Sequence, residues 1–210
     1  MDDIQVDYAH YAEYDRRQRG IQRHLLITFF GGVVLGLVGM VLPASLADVY
    51  DPYAAIALAV AVGMTASGFG WALLTSFLTA ASGVVSTMGL GTLLGTADFN
   101  TTAGGAIGLN VLLVLLVAVG LLAYVTRRND RWGDLAAGGI SALVLTDVID
   151  RSTAGFVDFE PGFWPWPGVL LALLAVGSVF LTRKSLPAAL RALAVAATIT
   201  GGFMVVLALL

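Results

Sequence analysis

A chain of 210 residues that is 58% hydrophobic and 12% charged, with a mean hydropathy of +0.88, carries more apolar surface than a water-soluble domain of its size can hide. The bilayer is its solvent, which excludes a globular cytosolic enzyme and a disordered chain, and a net charge of -3 without a long basic run excludes a nucleic-acid binder. With no cysteine, disulfides, thiolate nucleophiles, iron-sulfur clusters and cysteine-type zinc sites are excluded together.

The first 24 residues are the polar part. Ile4, Tyr8, Tyr11 and Asp15 recur at helical spacing, Asp2 and Asp3 stand at the start and Arg16 to Arg23 at the end, a charge order that suits the helix dipole. This segment is expected to be an amphipathic helix on the cytoplasmic headgroups, with a docking arm for a partner as the alternative. Residues 25 to 210 then form one polytopic domain.

A span needs roughly 20 mostly apolar residues to cross about 30 Å of hydrocarbon. Leu25 to Ala47 is the first, closed by Asp48, Asp51 and Pro52. Ser45 and Ala47 are spaced for signal cleavage before Asp48, but the run exceeds a usual signal core of roughly 7 to 15 residues, so it reads as a retained span. Tyr53 to Ala97 holds 45 residues without a charge, about 68 Å as one helix, and must fold into two spans. The turn between them is expected from Trp71 to Gly83. Asp98 to Thr102 makes a loop, Ala103 to Thr126 the fourth span, and Arg127, Arg128, Asp130 and Arg131 the next loop.

Leu135 to Ile149 is the weak candidate, since its 15 residues make only about 22 Å of helix. Gly168 to Thr182 and Leu186 to Leu210 are the last two. Counting all of these gives an all-α bundle of about seven transmembrane helices, with six as the alternative. Seven spans put nine basic residues, from Arg16, Arg17, Arg19 and Arg23 to Arg127, Arg128, Arg131, Arg183 and Lys184, on one side and only Arg151 on the other. Demoting the fifth segment turns 9:1 into 8:2, so seven spans with a cytoplasmic amino terminus is preferred. Arg191 is expected to snorkel to the cytoplasmic headgroups.

Small residues repeat at three- and four-residue spacing: Gly32, Gly36 and Gly39 in the first span, Gly104 and Gly108 in the fourth, and the stripe Thr75, Thr79, Ser82, Ser86. Missing side chains let helix backbones approach, which matters where lipid supplies no hydrophobic drive, so the glycines read as packing positions. The hydroxyl stripe, with Asn110 opposite, reads either as packing or as the wall of a solute path. Asp147 would be costly inside a span, but Arg151 four residues later offers an ion pair in the favourable acid-first order.

The outer loop from Asp150 to Pro167, with Phe163, Trp164 and Trp166 between prolines, reads as an aromatic belt. Together with Asp48, Asp51 and Asp98 it offers oxygen ligands for a divalent cation, without a regular ligand spacing. Asn100-Thr101-Thr102 matches a glycosylation acceptor. His10 and His24, the only two histidines, precede the first span and cannot act deep in the bundle, which excludes intramembrane Ser-His proteolysis and haem b ligation. The last span has no lysine for a retinal Schiff base. No nucleotide-loop, HExxH or facing-acid protease motif is present.

These readings point to a non-enzymatic, multi-pass protein of the cell membrane, without cofactor or metal, whose partners are the bilayer and other membrane-protein subunits or itself: an accessory or structural subunit. The alternative is a channel or permease for a small solute or ion. A lipid-directed enzyme using the outer carboxylates is a third, weaker reading.

Overall fold

The computed structural model describes residues 8–95 and 105–209. Among them there is no strand, and the helices are α1 (Tyr8–Val41), α2 (Ala44–Tyr50), α3 (Tyr53–Thr65), α4 (Phe69–Leu93), α5 (Gly105–Val125), α6 (Arg131–Ser152), α7 (Trp166–Thr182) and α8 (Leu186–Ala208). Five stretches, in α1, α4, α5, α6 and α8, are long and apolar enough to cross a membrane, whereas α3 and α7 are shorter apolar helices. An all-helical chain with several such helices is what a multi-pass membrane protein requires, because in lipid each backbone polar group must be satisfied within its own helix.

Three boundaries differ from the sequence expectation. First, α1 continues without a break from the polar segment into the apolar one, as no proline interrupts residues 8 to 42. Second, the turn inside the long uncharged stretch falls at Ala66 to Gly68 rather than between Trp71 and Gly83, so α3 has 13 residues and α4 has 25. Ala66 and Gly68 both take extended backbone, and the Arg127 guanidinium donates to the Ala66 carbonyl. That hydrogen bond satisfies a carbonyl which the end of α3 leaves without a helical partner.

Third, the segment that reads as weakest is the most enclosed. Helix α6 spans 22 residues and half of its most apolar stretch is buried, against 28% or less for the other four. Asp130 caps it by accepting from the Gly133 N–H at 3.1 Å. The Arg128 hydrogen bond and that cap hold the Asp130 carboxyl below its ordinary range.

The helices form two groups. In one, α1 packs on α4, α4 on α5, α5 on α3 and α3 on α1; in the other, α6 packs on α7 and α8. Tyr53, Ile56, Ala80, Leu116, Val119, Val148, Phe163 and Leu171 make a shared core across α3, α4, α5, α6, α7 and the loop before α7. Helix direction alternates through the bundle. A pocket lined by His24, Thr65 and Trp71, and the contacts of Ala66 with Arg127 and of Arg183 with Thr126 and Asp134, define one end, here the basic end. Tyr53, Asp147, Arg151 and Phe163 meet at the other, the acidic end.

Candidate functional site

Helix α1 approaches α4 through glycine. A Cβ built on Gly36 would lie 2.5 Å from the Gly83 carbonyl oxygen and 2.7 Å from Thr87 Oγ1, and one on Gly32 would overlap the Thr79 carbonyl and Ser82 Oγ. This close approach lets the α4 hydroxyls reach α1. Thr79 donates to the Thr28 carbonyl at 3.1 Å, Ser82 to Phe29 at 3.0 Å and Ser86 to Val33 at 3.2 Å, each also bonding within α4. Thr75, fully buried, donates to Trp71 on its own helix. Most of the hydroxyl stripe therefore faces the glycine stripe of α1, and Asn110 is exposed on α5 instead of standing opposite it. Gly39 lies against the Tyr50 ring, where a Cβ would be 3.2 Å from Cε1. Gly108 is half-buried on α5. Gly104, Asp98 and Asn100 to Thr102 lie outside the described residues.

Gly36→Leu is accordingly expected to lower the yield of folded protein strongly, while Val38→Leu, on a face that is 37% exposed, is expected to leave it within error. Size-exclusion profiles of the two variants in mild detergent make the comparison.

At the basic end, two groups that take part in no sequence motif form a buried clasp. Arg183, the residue that ends α7, is 6% exposed and Asp134 is 3% exposed. Arg183 Nη1 lies 3.3 Å from Asp134 Oδ1 and 3.0 Å from the Arg128 carbonyl oxygen, and Nη2 donates to the Thr126 carbonyl. The guanidinium thus covers carbonyls at and just beyond the end of α5, where a cation also meets the negative end of the helix dipole. Arg191 of α8 completes the clasp, with Nε and Nη2 both 2.8 Å from Asp134 Oδ2. It reaches sideways to α6 instead of only snorkelling outward. Glycine makes room for the clasp and its helices. A Cβ on Gly133 would lie 2.6 Å from Arg183 Nη1, and one on Gly138 2.5 Å from the Ala192 carbonyl oxygen.

At the acidic end, Arg151 Nε lies 3.2 Å from Asp147 Oδ2 and Nη1 lies 3.5 Å from Glu160 Oε2. Tyr53 donates its hydroxyl to Asp147, and Phe163, 2% exposed, stacks on the Tyr53 ring at 6.4 Å. The guanidinium stands 5.7 Å from the Phe163 ring centroid, a cation-π distance. These contacts fasten the loop before α7 onto α3 and α6. Trp164 and Trp166 beside it remain exposed, as an aromatic belt requires. Among the described residues, no three His, Asp or Glu side chains are grouped to hold a metal ion.

Between α1, α3, α4 and α5 lies a cavity of about 360 Å³, within the usual range of roughly 300 to 1,000 Å³ for small-molecule sites. Its walls are largely aliphatic, with Leu35, Leu58, Ala80, Val84, Leu112 and Leu116 among them, and of the hydroxyl stripe only Thr79 lines it. Tyr50 and Asp51 stand where α2 meets α3, at the acidic end of the cavity. Tyr50 bridges to α1 by donating to the Leu35 carbonyl at 2.8 Å. Desolvation raises the Asp51 carboxyl above its ordinary range, opposed by Arg151.

At the other end the walls converge. A Cβ on Gly63 of α3 would overlap the Gly120 carbonyl of α5, and one on Gly120 would lie 2.7 Å from Ser76 Cβ of α4. Gly63 and Gly120 escape a search for repeated Gly, Ser and Thr. Within their own helices, their small neighbours at helical spacing are alanines, Ala59 for one and Ala123 for the other. No protein-family model matches the chain, and no curated protein or solved structure is significantly similar to it.

Proposed function

We propose that the protein is a non-catalytic, multi-pass component of the cell membrane, with seven crossing helices, a cytoplasmic basic end, and an accessory or structural role beside other membrane proteins. The observation that supports this reading most is where the ionisable groups are used. Asp134, Arg183 and Arg191 engage one another at one end of α6 and Asp147, Arg151 and Glu160 at the other. Asp134 and Asp147 are 13 positions apart on α6, about 20 Å along a helix. The buried α6 side chains between them are alanines, Ile140 and Ser141, and Ser141 donates to the Ala175 carbonyl at 3.2 Å. Charges used in this way join helices, and this supports a structural role for them.

Purified from its own membranes in mild detergent, the protein is expected to retain a stoichiometric partner subunit. In liposomes alone it is expected to pass no ion or small solute beyond empty vesicles. The cavity supports the second reading, a channel or permease, since it lies between four helices and reaches Tyr50 and Asp51 at the acidic end. Saturable flux that Val84→Trp abolishes, with helicity by circular dichroism unchanged, would replace the first reading with the second.

A further inference from the structure

The cavity has a direction. Helices α3 and α4 are held together at the basic end by the short turn at Ala66 to Gly68, and the crossing of Gly63, Gly120 and Ser76 closes the space there. Toward the acidic end the wall continues along α4 from Ser76 to Met88, 12 positions or about 18 Å of helix. A space this elongated, with mostly aliphatic walls, fits an extended hydrocarbon chain better than a compact polar solute.

The acidic end adds a charge. Asp51 lines the cavity, and no hydrogen bond or ion pair to its carboxylate is formed among the described residues. Among the described residues, the one cation at this end, Arg151, is engaged by Asp147 and Glu160. The acids described at this end, Asp51, Asp147, Asp150, Asp158 and Glu160, outnumber that arginine, so the potential there is negative and favours a positive ligand. We propose that the cavity is a binding site for a lipophilic cation, with an extended apolar chain between α1, α3, α4 and α5 and a positively charged head group at Asp51. An anionic amphiphile of the same length would bring like charge to the acidic end, and a neutral one would supply no counter-charge.

The proposal goes beyond the accessory reading and does not need it, because the ligand can be a regulator of a subunit or the cargo of a permease. The test uses the full chain in lipid nanodiscs, with dodecyltrimethylammonium, dodecyl sulfate and dodecanol as radiolabelled probes and empty discs as background. Saturable binding of one dodecyltrimethylammonium per chain is expected, at least about tenfold tighter than dodecyl sulfate, the factor that one favourable charge contact supplies. Asp51→Asn should weaken the ammonium probe by about the same factor and leave dodecanol unchanged. Val84→Trp, which fills the space, should remove binding of all three. Equal affinity for the three probes, or an ammonium affinity unchanged in Asp51→Asn, would overturn the proposal. Because the first comparison needs only the unaltered protein, misfolding of a variant cannot rescue it.

Discussion

Asp134→Ala is expected to destabilise the folded protein by about 3 to 5 kcal/mol, the cost typical of removing one partner from a buried ion pair. The Arg183 side chain is 2% exposed and the Asp134 side chain 5%, so neither charge has water to fall back on. With the carboxylate gone, Arg183 keeps its carbonyl partners on Thr126 and Arg128, but its charge is left uncompensated. The control is Arg191→Ala. That arm is 56% exposed, and Asp134 still holds Arg183, so the loss should stay below about 1 kcal/mol, as for solvent-screened pairs. Adding Arg183→Met to Asp134→Ala should restore part of the stability, because the stranded charge leaves with it. The recovery is partial, since the same guanidinium covers the carbonyls beyond α5. Unfolding in mixed micelles reads all four proteins. An Asp134→Ala variant no weaker than Arg191→Ala would show that the clasp does not hold the helix ends.

Gly63→Ala is expected to cost about 1 to 3 kcal/mol although it adds one methyl group, a cost typical of overpacking. The Cβ would overlap the Gly120 carbonyl and stand 3.0 Å from the Ala123 Cβ. The obstacle is backbone, which cannot rotate aside as a side chain can, so α3 and α5 must part. Helix propensity runs the other way, since alanine in place of glycine in a helix interior normally gains roughly 0.5 to 1 kcal/mol. Gly177→Ala inside α7, where nothing lies within 4 Å, should show that gain by itself. Thermal unfolding of the two variants in the same detergent separates packing from propensity. Similar shifts for both would contradict the close crossing of α3 and α5.

The all-helical class and the broad positions of the helices were legible from runs of apolar residues between charges, because hydrophobicity sets the one requirement that lipid imposes on every span. The same rule failed where charges are partnered. Reading Asp134 as an end trimmed the fifth segment to 15 residues, whereas α6 takes Asp134, Asp147 and Arg151 into one helix of 22. Their partners, Arg183, Arg191 and Glu160, come from other parts of the chain, and no local pattern announces them. The turn at Ala66 to Gly68 was missed for the opposite reason. It contains no charge or proline, and its carbonyl is satisfied by Arg127 from far along the sequence.

For the site, Gly32, Gly36 and the α4 hydroxyls were legible as a repeating stripe, but spacing alone left open whether the stripe faces a helix or a path. The direction of the hydroxyl bonds, toward carbonyls of α1, is a tertiary fact. The cavity was invisible to sequence for a similar reason. Its walls are ordinary aliphatic side chains, and its floor depends on Gly63 of α3 meeting Gly120 of α5.

Helix α3 has only 13 residues, and in the proposed topology it crosses the bilayer together with the longer helices, so that the turn at Ala66 to Gly68 and the loop before α7 lie on opposite sides. The chain contains no cysteine, which allows single cysteines to be placed at Ser67, Asn129 and Val157, all exposed, and labelled in intact cells with a membrane-impermeant maleimide. Val157→Cys is expected to label at once, and Ser67→Cys and Asn129→Cys only after the cells are opened. Labelling of Ser67→Cys and Asn129→Cys in intact cells, with Val157→Cys protected, is the pattern that follows if α3 stays on the outer side, and would contradict the account.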